Sequence, residues 1–164
     1  MKYVIIGGVA GGATTAARLR RNDETAEIIM FERGKHISYA NCGLPYYLGG
    51  TIQDRENLFV QTPEKFYSTL HIDVRTCTEV ISIDRDNKRV TVKKRDEEQE
   101  YEESFDKLVL SPGAMAVRPP IPGIKSKGIF TLRNVPDTDK IKEFMDEKKP
   151  TRAIIVGAGF IGLE

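Results

Sequence analysis

The chain has 164 residues, of which 40% are hydrophobic and 30% charged, enough to bury the core of about one globular domain. Lysine and arginine number 25 against 24 acidic residues, so the net charge of +1 gives no basic excess that would indicate nucleic acid or an anionic membrane as a partner. Apolar runs fall short of the roughly 18 residues of a membrane span, and two cysteines are too few for a secreted disulfide framework, so we expect a cytoplasmic protein with free thiols.

The first predicted unit is a strand, a glycine-rich turn and a helix. A short apolar strand at residues 3–6 runs into glycines and then into an alanine-rich stretch with strong helix propensity. A second apolar strand at residues 26–32 follows the polar break RNDET. The segment therefore predicts a βαβ unit with parallel strands and a right-handed crossover.

Residues 62–105 change from a helical pattern to an alternating one. TPEKFYSTL predicts a helix with Thr62 as its N-cap and Pro63 at its first position. From residue 72 onward apolar and polar residues alternate, and DRDNK supplies a turn between two such runs. This pattern predicts an antiparallel β meander over residues 72–105, inserted into the α/β unit. Cys77 lies within the alternating stretch and is assigned no role.

The last third of the chain predicts a strand, a helix and the start of another unit. KLVLSPGA predicts a buried strand that ends in a Pro-Gly turn. VPDTDKIKEFMDEKKP predicts an amphipathic helix with Ile141, Phe144 and Met145 inward, stopped at Pro150. TRAIIVGAGFIGLE again runs a strand into glycines. We therefore expect one domain over residues 1–150 and, over residues 151–164, the start of a second that continues in a longer protein.

Two glycine-rich turns have the pattern of dinucleotide-binding sites. Gly157, Gly159 and Gly162 fit G-x-G-x-x-G, in which the glycines allow a tight turn, close approach to a pyrophosphate and close helix packing. The opening turn has Val9 in place of the second glycine, but Glu32 follows at the distance where a carboxylate accepts ribose hydroxyls. The alternative is a tight strand-helix turn that binds nothing. The opening turn comprises Gly7, Gly8, Val9, Ala10, Gly11 and Gly12.

Cys42 lies in SYANCGLPYYLGG, a polar and aromatic loop that follows the βαβ unit. Pro45 is placed as in the first turn of a short helix, so aligned N–H dipoles would stabilise a Cys42 thiolate and make it nucleophilic. A small buried thiol without a role is the alternative. A metal site is not predicted, because the chain has no C-x-x-C and its two histidines, His36 and His71, lack ligand spacing.

Several stretches of the chain carry a family resemblance. They are VIIGGVAGGATTAARLRR, FERGKHISYANCGLPYYLGG, TPEKFY, FDKLVLSPGA, FTLRNVPDTDKI and IIVGAGFIGLE, of which SYANCGLPY is the most specific. Together they resemble the coenzyme A-disulfide reductase family within the pyridine nucleotide-disulfide oxidoreductases. The fold is then α/β, with a Rossmann-like FAD-binding domain that carries the antiparallel β insertion. It is followed by the first strand-turn-helix of a Rossmann-like NAD(P)-binding domain.

The resemblance implies a hydride relay that ends at Cys42. NAD(P)H at the Gly157 turn would pass hydride to FAD, and the reduced flavin would cleave a mixed disulfide between Cys42 and coenzyme A. Relatives that resemble glutathione reductase carry C-x-x-x-x-C, whereas the fifth residue after Cys42 is Tyr47. A sulfur of the substrate, coenzyme A disulfide, would therefore form the second half of the pair. The resemblance also implies a homodimer at full length, and we expect the isolated 164-residue chain to bind FAD weakly or to fold poorly.

The resemblance also implies which residues contact cofactor and substrate. Ser38 and Asn41 would flank the reacting sulfurs. Thr14, Arg18 and Arg21 share one helix face and would bind coenzyme A, where guanidinium groups can take phosphates bidentately; a solvated basic face is the alternative. Positions that match FAD contacts of the family are Gly7, Val9, Ala10, Glu32, Arg33, Val80, Ser111, Pro112 and Gly113.

Two other functions stay open at this point. An NADH oxidase or peroxidase of the same superfamily would cycle the cysteine between thiolate and sulfenic acid. A non-catalytic flavin-binding fragment or redox sensor is the second alternative. Ferredoxin-reductase-like relatives are disfavoured, because they need no cysteine at this position.

Overall fold

The computed structural model describes residues 1–97, 99–157 and 159–163. Contacts divide the chain into two units. The first comprises Met1–Tyr39 with Phe59–Gly113, and the second Ala40–Leu58 with Ala114–Glu164. None of the described helices has the length and apolar character that crossing a membrane requires.

The first unit contains a four-stranded parallel sheet in the order β3-β2-β1-β7. β1 pairs with β2 from Lys2 opposite Glu27 to Ile6 opposite Phe31, and helix α1 (Ala10–Asn22) makes the crossover between them. The predicted βαβ unit is therefore confirmed. The strands are β1 (Lys2–Ile6), β2 (Glu27–Phe31), β3 (Asp73–Arg75) and β7 (Lys107–Leu110).

The core of this unit lies on both faces of the parallel sheet. Alternate side chains of a strand point to opposite faces, so one set of apolar residues meets α1 and the other meets a second sheet. On the α1 side the buried cluster includes Ile5, Ile28, Met30, Ala13 and Ala16. On the other side it includes Val4, Ile29, Phe31, Val90 and Val92. Each large aliphatic side chain buried in this way contributes about 1.5–3 kcal/mol.

The second sheet of this unit is antiparallel, with strands β4 (Thr78–Asp84), β5 (Arg89–Lys94) and β6 (Glu100–Ser104) in that order. The predicted start of the meander at residue 72 is wrong. β3 instead pairs parallel with β2, with Asp73 opposite Ile29, because the open edge of β2 offers it hydrogen-bond partners. Cys77 is likewise not in a strand; it lies between β3 and β4 with φ 51°.

Helix α3 (Pro63–Leu70) begins as the sequence predicts, since the Thr62 side chain accepts the N–H of Lys65 at 3.3 Å. The prediction that residues 107–110 form a buried strand is only half right. β7 is a strand, but it lies at the end of the sheet with β1 as its neighbour, and Leu110 is 62% exposed.

The second unit is built from helical segments. Two 3₁₀ helices, Asn41–Gly43 and Arg55–Leu58, flank α2 (Leu44–Leu48), and two further α-helices are α4 (Val135–Lys148) and α5 (Phe160–Leu163). α4 confirms the predicted helix, and Asn134 caps it by accepting the N–H of Asp137 at 2.9 Å.

Two details of the second unit differ from the sequence-based expectation. Val135 and Thr138 are the buried residues of α4, whereas Met145, predicted to point inward, is 37% exposed. Residues 152–157, all of them described, form no strand, and Val156 is 96% exposed. A strand needs neighbours to satisfy its N–H and C=O groups, and apolar sequence alone does not provide them.

Candidate functional site

The first glycine turn joins β1 to α1 and depends on backbone contacts that exclude a side chain. Gly7 has φ +99°, and a Cβ there would overlap the carbonyl oxygen of Ser111. A Cβ at Gly12 would overlap the carbonyl oxygen of Gly7, so α1 starts directly against the turn. A Cβ at Gly11 would overlap Oγ of Ser111. Glycine is therefore required for reasons of space at Gly7 and Gly12, which meet backbone atoms, whereas the Ser111 hydroxyl can rotate away from Gly11.

The N-terminus of α1 is open to an anion. Val9 is its N-cap with φ −91°, a negative value that valine adopts without the penalty of a positive φ. Among the described residues no side chain caps α1, and its first turn holds no acidic residue. The first N–H groups of a helix lack intrahelical partners and carry the positive end of its dipole, so a pyrophosphate fits here.

Glu32 is held in place by two backbone groups. The N–H of Gly8 donates to its Oε2 and the N–H of Gly34 to its Oε1, both at 2.8 Å. Each carboxylate oxygen has two lone-pair sites and uses one of them here, so each can still accept a hydroxyl. This geometry fits the two adjacent hydroxyls of a ribose.

The end of β7 adjoins the same turn. The Ser111 N–H donates to the Ile6 carbonyl at 2.8 Å, which carries the β1–β7 pairing to the turn, and Gly113 follows with φ 70°. β4 also begins close by, because the N–H of Thr78 donates to the Glu32 carbonyl at 3.0 Å. The opening turn, Glu32 and the turn 111–113 thus lie at the carboxyl ends of parallel strands, the usual place for a nucleotide in such sheets.

The other two predicted cofactor residues of the first unit are Arg33 and Val80. Arg33 follows Glu32 with its side chain exposed. Val80 is half-buried against the cluster of Val90 and Val92, where the register of β4 shifts.

The second glycine turn repeats the local geometry of the first. Gly157 has φ +114°, and a Cβ at Gly162 would overlap the carbonyl oxygen of Gly157. A Cβ at Gly12 would overlap the carbonyl oxygen of Gly7 in the same way. A Cβ at Gly159 would meet no described atom within 4 Å, so the backbone there is open to a ligand. The described residues of this turn therefore share a close glycine contact with the first turn, although residues 152–157 form no strand.

Cys42 is exposed on a tightly packed loop. It lies in the 3₁₀ helix Asn41–Gly43 directly before α2, and Pro45 stands in the first turn of α2 as predicted. A Cβ added to the neighbouring Gly43 would stand 3.2 Å from the side chains of Ile52 and Leu58, so the loop is closely packed at Gly43. Within the described residues both cysteines are free thiols.

The residues predicted to flank the reacting sulfur have unusual environments. Ser38, in the first unit, has φ 45°, with its N–H donated to the Gly8 carbonyl at 2.9 Å and its own carbonyl accepting from Val60 at 2.8 Å. Asn41, in the second unit, has a buried Oδ1 with no hydrogen-bond partner among the described residues. A buried acceptor without a donor costs about 1–3 kcal/mol, so a donor brought by a ligand to Asn41 Oδ1 would be stabilising.

The basic residues of α1 divide into two groups. Thr14, Arg18 and Arg21 are all exposed, on the face opposite the buried Gly12, Ala13 and Ala16. Arg20 instead donates from Nε to the Leu70 carbonyl at 2.7 Å and from Nη2 to the His71 carbonyl at 2.9 Å. Arg20 therefore joins the ends of α1 and α3, whereas the other two arginines stay available to a ligand.

A family model described as pyridine nucleotide-disulphide oxidoreductase matches residues 1–164. The chain belongs to the pyridine nucleotide-disulphide oxidoreductase family. The fold agrees, since the parallel sheet and the separate antiparallel sheet are those of the FAD-binding part of this family, as the sequence predicts.

Individual members of the family are closely similar. Coenzyme A disulfide reductase of Staphylococcus aureus (strain JH9) is 45% identical over 163 residues, which make up 99% of this chain and 36% of that protein. The crystal structure of reduced Bacillus anthracis CoADR-RHD is 54% identical with a TM-score of 0.96, covering 99% of this chain and 29% of the other. The structure of the water-forming NADH oxidase of Lactobacillus brevis bound to NADH is 33% identical with a TM-score of 0.91. The match covers 99% of this chain and 36% of the oxidase.

The cofactors of the pyridine nucleotide-disulphide oxidoreductases, FAD and NAD(P)H, suit the residues found here. The uncapped start of α1 has N–H groups of the kind that a pyrophosphate accepts, and the Glu32 carboxylate has free acceptor positions of the kind that ribose hydroxyls need. The open backbone at Gly159 suits a second dinucleotide. No group of His, Cys, Asp and Glu side chains among the described residues could hold a metal ion.

Two arrangements of ion pairs could not be predicted from the sequence. Arg75 donates to Asp73, Tyr101 and Glu103, and its guanidinium also stacks on the ring of Phe31 at 5.5 Å. Burial opposes the charge of Arg75, but these hydrogen bonds raise its pKa above the ordinary value. The second is the pair of Arg55 with Asp139, which stand 84 residues apart. Single charged residues in a sequence give no signal for such distant partners.

Proposed function

We propose that this chain is part of an FAD-dependent NAD(P)H oxidoreductase that reduces coenzyme A disulfide through Cys42. The observation that carries the proposal is the exposed Cys42 thiol in ANCGLPY, with Tyr47 where a second cysteine would complete C-x-x-x-x-C. A thiol that reduces disulfides without a second cysteine in this motif takes its second sulfur from the substrate. The 45% identity to a coenzyme A disulfide reductase over nearly the whole chain supports that substrate.

The proposed chemistry is thiol-disulfide exchange followed by reduction. The Cys42 thiolate attacks one sulfur of coenzyme A disulfide, the S–S bond breaks, and one coenzyme A thiolate leaves and takes a proton from water. The mixed disulfide left on Cys42 then accepts an electron pair, which releases the second coenzyme A and restores the thiolate. When bound, FAD relays that electron pair from NAD(P)H. In sum, one NAD(P)H and one proton convert one disulfide into two thiols.

Each predicted site residue has a place in this scheme. The opening glycine turn and Glu32 would hold FAD, with Arg33, Val80 and the turn 111–113 beside it. The Gly157 turn would bind NAD(P)H. Thr14, Arg18 and Arg21 would bind the phosphates of coenzyme A, since two exposed guanidinium groups on one helix face match a polyanion. Ser38 and Asn41 would stand near the reacting sulfurs.

A second candidate function is an NADH oxidase. It is favoured by the 33% identity and TM-score of 0.91 to the Lactobacillus brevis oxidase. In that case NADH would reduce oxygen to hydrogen peroxide, the Cys42 thiolate would attack the peroxide to form a sulfenic acid with release of hydroxide, and no coenzyme A would be bound to Cys42. The predicted domain boundary at residue 150, the homodimer, the cytoplasmic location and the weak FAD binding of the isolated chain stay predictions.

Intact mass spectrometry of the full-length protein, purified without reductant, tests the proposal. A mass excess of one coenzyme A that dithiothreitol removes and that maps to Cys42 would support coenzyme A disulfide as the substrate. An oxygenated Cys42 would favour the oxidase. Cys77→Ser is the matched control, because it removes the other thiol and is expected to leave the adduct in place. Continued disulfide turnover by Cys42→Ser would overturn the mechanism.

A further inference from the structure

One ion pair connects the segment that carries Cys42 to α4. Arg55 stands at the start of the 3₁₀ helix Arg55–Leu58, and Asp139 lies in the second turn of α4. The guanidinium donates from Nε to Oδ1 at 2.8 Å and from Nη2 to Oδ2 at 2.9 Å. This bidentate arrangement fixes both distance and orientation, which a single hydrogen bond does not. The side chains are 33% and 42% exposed, so solvent screens the pair only in part.

The contacts lead from Arg55 to Cys42 in few steps. The 3₁₀ helix that Arg55 begins ends at Leu58, which is fully buried. The Leu58 carbonyl accepts the N–H of Ala40 at 2.8 Å, and its side chain lies against Gly43. Ala40 and Gly43 stand on either side of the Asn41–Cys42 dipeptide. These contacts connect the backbone around the thiol to Leu58, and one turn of 3₁₀ helix connects Leu58 to Arg55.

We propose that Arg55 and Asp139 are positioning residues for Cys42, which hold its loop in the geometry that disulfide attack requires. The inference rests on the proposed function and extends it to two residues that do not touch the reacting atoms. Thiol-disulfide exchange needs the attacking sulfur in line with the bond that breaks, so small displacements of the loop slow it. Alkylation of the thiol by a small reagent has no such demand on the loop.

The test uses the full-length holoenzyme and three variants. Asp139→Asn removes the negative charge of the pair and one of its two acceptors, with little change in the shape of the side chain. Arg55→Lys keeps the charge but loses the bidentate fork. Asp146→Asn is the matched control, because Asp146 lies on the same helix and pairs with Lys142 on an exposed face at 2.7 Å.

Three quantities are measured for each variant. The first is the rate at which the reduced enzyme forms the Cys42–coenzyme A disulfide, followed by quenching and mass spectrometry. The second is the rate of Cys42 alkylation by iodoacetamide. The third is amide hydrogen exchange over residues 40–58, with the melting temperature as a check on folding.

We expect Asp139→Asn and Arg55→Lys to slow the disulfide reaction about tenfold or more, with alkylation changed less than about threefold. Hydrogen exchange over residues 40–58 should rise in both, and Asp146→Asn should resemble the wild type. Equal disulfide rates in Asp139→Asn and Asp146→Asn would overturn the inference. An equal slowing of both thiol reactions, accompanied by a lower melting temperature, would also overturn it, because the pair would then act only on stability.

Failure of the proposed function gives a different result. The wild-type Cys42 would then not react with coenzyme A disulfide at all. The same comparison is made in that case with dithionitrobenzoate, a small aromatic disulfide. If Asp139→Asn reacts with this reagent more slowly than the control Asp146→Asn, the positioning role holds without coenzyme A disulfide as the substrate. If the two variants react at equal rates, the positioning role is overturned.

Discussion

The carbonyl oxygen of Gly7 occupies the space that a Cβ at Gly12 would need, and Gly157 stands in the same relation to Gly162. Both turns of the chain thus place the start of a helix directly on the carbonyl of the first glycine. Since the two turns share this contact, Val9 in the opening turn does not prevent the close approach of the first glycine to the third. Each turn leaves no room for a side chain at its third glycine, which is Gly12 in the first turn and Gly162 in the second.

Gly12→Ala should therefore destabilise the protein by about 1–3 kcal/mol, because the new methyl group overlaps a backbone atom that cannot move aside freely. The full-length variant should also lose FAD during purification. Melting temperature and flavin absorbance measure both effects. Gly49→Ala is the control, since a Cβ at Gly49 has its nearest atom at 3.5 Å and its φ of −76° suits alanine. A variant at Gly12 that melts like the control would contradict the packing argument.

Glu32→Gln should weaken FAD binding by about tenfold or more. The amide nitrogen of glutamine has no lone pair to accept a backbone N–H, so one of the two 2.8 Å hydrogen bonds is lost together with the charge. Titration of the apoprotein with FAD gives the dissociation constants. Glu24→Gln changes an exposed carboxylate of the same unit and should bind FAD like the wild type. Equal affinities for both variants would remove Glu32 from the ribose site.

Glu103 makes a pH-dependent contribution to stability. Its side chain is 14% exposed; burial alone would raise its pKa, but hydrogen bonds from Lys2 and Arg75 lower the pKa below its ordinary value of 4.5. A carboxylate with a depressed folded-state pKa adds stability above its unfolded-state pKa and loses it as pH falls through the folded-state value. Glu103→Gln should therefore cost about 1–3 kcal/mol at pH 7, and the difference from wild type should shrink below about pH 4.5.

Urea unfolding of both proteins across this pH range measures the difference. Glu102→Gln is the matched control, because the neighbouring Glu102 pairs with Arg89 at the surface, where both side chains are more than half exposed. Exposed pairs of this kind contribute about 0–1 kcal/mol. If the cost of Glu103→Gln stayed constant down to acid pH, the ionised Glu103 would not be its source.

The arginines of α1 should separate into binding and structural residues. Arg18→Gln and Arg21→Gln should each raise KM for coenzyme A disulfide about tenfold, with KM for NAD(P)H unchanged, because one charge-assisted phosphate contact is lost. Arg20→Gln should lower the melting temperature without raising that KM, since Arg20 donates to the carbonyls of Leu70 and His71. Steady-state kinetics with thermal melts distinguish the two classes. A raised KM in Arg20→Gln alone would reverse the assignment.

Local chemistry was sufficient for the elements whose signals lie within a short stretch of chain. The βαβ unit, the Thr62 cap of α3, the span of α4 and the glycine turns could all be predicted, because periodicity, capping and backbone space act over a few residues. The resemblance around Cys42 likewise depends on contiguous residues, and the family comparison agrees with it.

Only the tertiary structure decided which distant groups pair. Residues 73–75 alternate like a strand in either sheet, and the open edge of β2 made them parallel. Residues 152–157 carry a strand pattern, yet they form no strand, and none of the described strands pairs with them. In the same way Arg20, Arg55 and Arg75 look alike in the sequence, and their partners come from segments far along the chain. The sequence by itself therefore determined the family, the glycine turns and the position of the Cys42 thiol in the chain. The tertiary structure decided which charged residues pair next to the loop of Cys42. The energy of an ion pair depends on the distance between its charges, and distant residues acquire that distance only when the chain folds.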